Sequence, residues 1–164
     1  MKRLSRIAAR VALLLILGIG ATACSNDSCY DNGSSLPLAT FYVGNTQQTI
    51  TGLTIMGIGV PGDSLLLDSA SVKEAFLPLR ASTTTTSFML RHWRSNGSEW
   101  TPVTDTLTLD YQPIEYFHSI ECGAMYNFDV KRVGYTTHGI DSVILLNNLF
   151  TNSRTPALRI HFAQ

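Results

Sequence analysis

Short runs in which apolar and polar side chains alternate recur along this chain, and a period of two marks a strand with one dry face and one wet face. Leu107-Thr108-Leu109-Asp110-Tyr111, Tyr126-Asn127-Phe128-Asp129-Val130-Lys131 and Leu158-Arg159-Ile160-His161-Phe162 all follow it. Further runs rich in Thr, Val, Ile, Leu and aromatic residues lie at 38–43, 50–56, 64–67, 76–79, 87–93, 114–118 and 142–146, separated by Gly, Asn, Asp, Ser and Pro. Together they predict about ten short strands bounded by turn residues. Residues 57–62 read as a turn between strands, and the threonine-rich stretch 82–87 as a loop entering one. No longer window keeps the 3.6-residue period of a helix, so 71–75 and 147–150 are expected to form single turns at most. Antiparallel strands over 36–164 fold most economically as one two-layer β-sandwich of immunoglobulin-like size, an all-β domain of about 8 to 10 strands.

Charge and the first residues bear on compartment. The 164 residues carry 12 basic and 12 acidic side chains, but Lys2, Arg3, Arg6 and Arg10 all precede an apolar run. Without residues 1–23, eight basic side chains face 12 acidic ones. An acidic domain is a poor partner for nucleic acid, which needs a basic surface. The cationic start, the apolar stretch 11–19 and Gly20-Ala21-Thr22-Ala23 form a secretory signal peptide over 1–23. Its apolar core is far short of the roughly 20 residues that span a bilayer. Cys24 follows directly, as in a bacterial lipobox, so its thiol is expected to be diacylated, with 24–35 as lipidated N-terminus and polar tether before the domain at 36–164. Ala21 stands where Leu is usual, and cleavage without lipidation is the alternative. With Cys24 acylated, Cys29 and Cys122 remain, an even pair in an oxidising compartment. A bridge between them would stabilise by up to about 4 to 5 kcal/mol in the chain-entropy model; the alternative is two separate thiols.

Cys24 and Cys29 are followed in order by LPLATFYV at 36–43, DSLLLD at 63–68, FLPLR at 76–80, DTLTLDYQ at 105–112, ECGAMYNFDV at 121–130, HGIDSVILLNN at 138–148 and LRIHF at 158–162. This order of features resembles a family of uncharacterised lipoproteins from Bacteroidota, a domain of unknown function. The resemblance implies an envelope location and one all-β domain, and it carries over no catalytic residue. It also implies that Asp63-Ser64-Leu65, Asp68-Ser69-Ala70, Asp105-Thr106-Leu107 and Asp141-Ser142-Val143 are similar to acceptor sequences for O-glycosylation in that phylum, at Ser64, Ser69, Thr106 or Ser142. The structural alternative is that Asp with Ser or Thr favours the turn before a strand. Acidic residues behind the lipidated Cys direct such proteins outward, and Ser25-Asn26-Asp27 offers a single acid, which favours an outer-membrane protein facing the periplasm, with exposure at the cell surface as the alternative.

Local chemistry is sparse. His92, His118, His138 and His161 show no metal-binding spacing, so no metal and no cofactor are expected. His161 and Arg159 are assigned to a solvated sheet face. His92, Trp93 and Arg94 form a basic-aromatic cluster that suits anions or sugars, with a wet edge strand as the plainer reading. No serine sits in a Gly-x-Ser-x-Gly turn. Asp110 with Glu115, or Glu115 with Glu121, are the carboxylate pairs a glycosidase would need. The expectation is therefore a non-enzymatic, lipid-anchored envelope module that binds or assembles with another envelope component, with Trp93, Trp100 and Tyr116 as anchors. The alternative is a glycan-binding or glycan-active protein, favoured if an aromatic cleft brings two carboxylates face to face.

Overall fold

A computed structural model describes residues 36–60, 64–95, 97–120 and 122–163. They form eleven strands: β1 (Leu38–Val43), β2 (Thr46–Gln47), β3 (Ile50–Ile58), β4 (Leu65–Val72), β5 (Glu74–Phe76), β6 (Thr85–Ser95), β7 (Trp100–Ser119), β8 (Gly123–Tyr135), β9 (Ile140–Leu145), β10 (Leu149–Phe150) and β11 (Pro156–Phe162). One sheet has the order β2-β1-β11-β9, with β5 also on β1, and the other runs β10-β8-β7-β6-β3-β4. The two pack face to face as a β-sandwich. The pairing is antiparallel except between β1 and β11, which run parallel from Leu38↔Pro156 to Val43↔Phe162 with a register shift after Leu38 and bring residues 38–43 beside 156–162.

Alternation builds the core. Phe41 and Ala39 of β1 and Leu158, Ile160 and Phe162 of β11 face Leu53 and Ile55 of β3, Phe88 and Leu90 of β6, Leu107 and Leu109 of β7, and Phe128 and Val130 of β8. Each such side chain removed from water contributes about 1.5 to 3 kcal/mol. Edge-on ring contacts join neighbouring strands within each sheet, at 5.8 Å between Phe41 and Phe162 and at 5.2 Å between Tyr111 and Phe128, and the His92–Phe162 contact at 4.7 Å crosses between the sheets. The Tyr111 hydroxyl, at the dry end of its row, donates to Arg80 O at 2.9 Å and accepts from Arg80 N at 3.1 Å. A buried phenol is thereby satisfied.

Several expectations are corrected. The runs at 107–111 and 114–118 are one strand, β7, passing through Pro113. The Tyr111 N–H reaches Thr84 O on the β6 side, and residue 113 points the same way. There β6 has already ended, since its first residue Thr85 pairs with Asp110, so the missing proline N–H faces an open side. Residues 71–75 are not a helical turn but the end of β4 and the start of β5, and 149–150 pair with β8 as β10. The strand expected at 76–79 lies earlier, at Glu74–Phe76. Leu77 and Leu79 still enter the core from an extended segment that Pro78 keeps out of a ladder. β4 is an irregular edge, with three register shifts against β3 and Ser69 at φ 47°, a bulge that discourages further strand pairing. His161 and Arg159 are half-buried rather than fully solvated. Arg159 lies over the Tyr42 ring at 4.7 Å, and His161 stacks on Tyr42 at 5.2 Å.

Candidate binding site

The outer face of the six-stranded sheet carries two exposed indoles, Trp93 and Trp100. On β6, Phe88, Leu90 and His92 point inward, so Arg91, Trp93 and Ser95 point out. β7 pairs in register with Trp93↔Pro102 and Ser95↔Trp100. Trp93 and Trp100 are therefore diagonal neighbours on one face, a separation of roughly 7 to 8 Å between backbones. They remain 46% and 68% exposed. With Thr51 and Gly52 of β3 they line an apolar slot of about 410 Å³.

Gly52 makes the slot. Its φ is +67°, a left-handed conformation that side chains disfavour, and a Cβ there would stand 3.0 Å from Trp93 Cδ1. The Cδ1–Nε1 edge of the indole therefore lies where a side chain at position 52 would stand, and the ring stays half exposed. Pairing of Thr54 with Arg91 sets the register that places Gly52 beside Trp93.

The other residues named from the sequence do not join this slot. His92 is 4% exposed, sits on a central strand between β3 and β7, and meets Phe162 edge-on at 4.7 Å. It is thus neither a ligand contact nor part of a wet edge. Burial pushes its pKa below the ordinary 6.5, Asp105 opposes this, and Arg94 adds to it. Neither ring nitrogen has a hydrogen-bond partner. Arg94, on the inward parity at the end of the sandwich, donates from Nη1 to His138 O at 3.0 Å. Tyr116 is sixteen residues beyond Trp100 along β7, roughly 50 Å away at about 3.3 Å per residue. Its hydroxyl donates to Met125 Sδ.

The carboxylates are dispersed. Asp110 lies on the outer face, where Arg132 Nε at 2.8 Å and Thr85 Oγ1 at 2.9 Å donate to it. These bonds, Arg132 first, hold its pKa below the usual carboxylate range. Glu115 lines a different cleft with Thr83, Gln112 and Tyr126. Glu121 lies outside the described residues, as do Cys24 and Cys29. No group of three His, Cys, Asp or Glu side chains suited to a metal ion occurs among the described residues.

Of the four hydroxyls in Asp-Ser/Thr sequences, Ser64 just before β4 and Ser69 in its bulge are exposed. Thr106 and Ser142 are half-buried within β7 and β9. Asp105-Thr106 is accordingly not a turn before a strand but its middle.

Asp105 is the residue that sequence reasoning missed. It is 1% exposed. Its Oδ1 accepts from Thr136 Oγ1 at 2.6 Å and His138 N at 2.8 Å, and its Oδ2 from Gly139 N at 2.7 Å and Ile140 N at 2.9 Å. Burial alone would raise its pKa, but these four bonds outweigh it and hold the carboxyl below the ordinary 3.8. The acceptor fastens the segment in which the chain leaves β8 of one sheet for β9 of the other. Its role is architectural. The available signal was its place on the dry parity of Leu107 and Leu109.

Residues 52–162 match a family of unknown function, DUF6452. No curated protein and no solved structure matches the chain.

Proposed function

The chain belongs to DUF6452, and for this member we propose a non-enzymatic binding module of the cell envelope, with the Trp93–Trp100 slot as its recognition surface. The observation that carries it is that pair of exposed indoles, preset by Gly52 on a rigid sheet. Apolar surface of this size is costly to leave in water, and aromatic anchors on a rigid frame are what recognition surfaces use. The signal sequence and Cys24 support a lipid anchor at the outer membrane, facing the periplasm. With Cys24 acylated, Cys29 and Cys122 would remain as an even pair in an oxidising compartment, which supports a bridge between them. Exposed Ser64 and Ser69 are the better placed of the four glycosylation sites. A glycan-active enzyme is the weaker reading, because Asp110 and Glu115 line separate clefts.

Crosslinking and affinity capture of the tagged native protein from intact envelopes, with mass spectrometry of bait and prey, tests this reading. The expected result is an acylated Cys24 and a partner or glycan lost on Trp100→Ala. An unmodified Cys24, or capture indifferent to Trp100→Ala, would remove it.

A further inference from the structure

Past the two indoles, the same face continues along β7 as a row of hydroxyls. Outward positions on this strand alternate with Asp105, Leu107 and Leu109, so Thr104, Thr106 and Thr108 point away from the core. Thr106 lies opposite Met89 and Thr108 opposite Ser87, whose Oγ is 2.9 Å from Thr108 Oγ1. Thr104 faces Arg91, an exposed guanidinium with donors and a flat face. The row ends at Asp110, whose charge Arg132 neutralises at 2.8 Å beside a second open cleft of about 480 Å³. From Trp100 to Asp110 the strand extends for roughly 33 Å at about 3.3 Å per residue.

We propose that this face is a binding track for a neutral oligosaccharide chain, lying along β7 with one sugar ring stacked on Trp93 and Trp100. The proposal rests on the binding-module reading and names its ligand class. A sugar ring has apolar C–H faces and hydroxyls around its edge, and the track offers matching groups in order: flat indoles first, then hydroxyl donors and acceptors at every second residue. A protein partner would call for an apolar centre, whereas between the slot and Asp110 the outward residues of β7 are Thr104, Thr106 and Thr108. A polyanion would call for a row of cations, whereas Arg132 is bound to Asp110 and Arg91 beside Thr104 is a single guanidinium rather than a row.

Affinity electrophoresis of the full-length native protein in gels containing a β-glucan, an α-mannan, starch or polygalacturonate tests the idea, with isothermal titration for any hit. The expected result is retardation by at least one neutral polysaccharide, persisting between 50 and 500 mM salt. Affinity should fall roughly 30-fold or more on Trp100→Ala, as for a central anchor. Thr106→Val, which keeps the side-chain shape, should weaken binding several-fold if hydroxyls along the track are used. Retardation by none of the neutral polymers, retardation abolished by salt, or retardation unchanged in both variants would each overturn the track. If the polysaccharides fail while Trp100→Ala still abolishes capture of an envelope protein, the ligand class is wrong and the binding surface stands. If neither depends on Trp100, both fall.

Discussion

Replacing Asp105 by Asn should be one of the most damaging isosteric changes in the molecule. The carboxylate takes four donors, two on each oxygen: Thr136 and His138 on one, Gly139 and Ile140 on the other. An amide of the same shape must turn its NH2 toward one of those pairs. If it faces Gly139 and Ile140, two buried backbone N–H groups lose their acceptor. Facing Thr136 and His138 is better, because the Thr136 hydroxyl can rotate to accept, but the His138 N–H is still stranded. An orphaned buried donor costs about 1 to 3 kcal/mol, and each remaining bond falls from charge-assisted to neutral strength, about 1 kcal/mol apiece. Part of this returns because a neutral group is cheaper to bury, leaving a net loss of about 3 to 5 kcal/mol at pH 7. Urea unfolding of both proteins, followed by far-ultraviolet circular dichroism, measures it. The sign with pH is fixed as well. A carboxyl whose folded pKa is depressed contributes stability that is present above its ordinary 3.8 and lost as pH falls through the folded value. The gap between wild type and variant should therefore narrow below about pH 4. A loss under about 1 kcal/mol at pH 7, or a gap that is the same at pH 3 and pH 7, would refute the account.

Three further outcomes follow from the same geometry. Gly139→Ala should destabilise by about 1 to 3 kcal/mol in the same urea assay, because the added Cβ overlaps the His92 ring and stands 2.8 Å from Val103 Cγ1. His92, held neutral by burial, should make the protein lose stability as pH drops below 6.5. There the unfolded chain takes up a proton that the folded one refuses, at up to about 1.4 kcal/mol per pH unit; His92→Leu should flatten the urea midpoint between pH 6.5 and 5. Gly52→Ala should cost about 1 to 2 kcal/mol for its left-handed backbone and alter the Trp93 emission spectrum as the indole is pushed off its seat; an unchanged spectrum would show that Gly52 does not position the ring.

How much of this was legible in the sequence depends on the range of the interaction. Alternation acts between neighbours, so it placed Leu107, Leu109, Phe128, Leu158 and Ile160 on dry faces correctly. Pairing is a long-range matter. Nothing near 38–43 signals that it will lie parallel to 156–162, and nothing local shows that β6 stops at Thr85 and frees Pro113 to sit inside a strand. The candidate site divides along the same line. The exposure of Trp93 and Trp100 was open to reasoning, but their meeting over Gly52 depends on two hairpin registers. His92 and Asp105 are different, because the period of two already carried the answer. His92 follows Phe88 and Leu90 at two-residue steps, and Asp105 precedes Leu107 and Leu109 in the same way. A single cluster of His92, Trp93 and Arg94 is not compatible with a strand, because adjacent strand residues face opposite ways. A polar residue on a dry row is a specific signal, since it must be either fully bonded, as Asp105 is, or held neutral, as His92 is. The same parity argument, applied to the wet row of β7, isolates Thr104, Thr106 and Thr108 as consecutive outward hydroxyls. Solvent exposure alone does not require three successive threonines there, and threonine meets the demands of the strand and of a hydroxyl-bearing ligand at once.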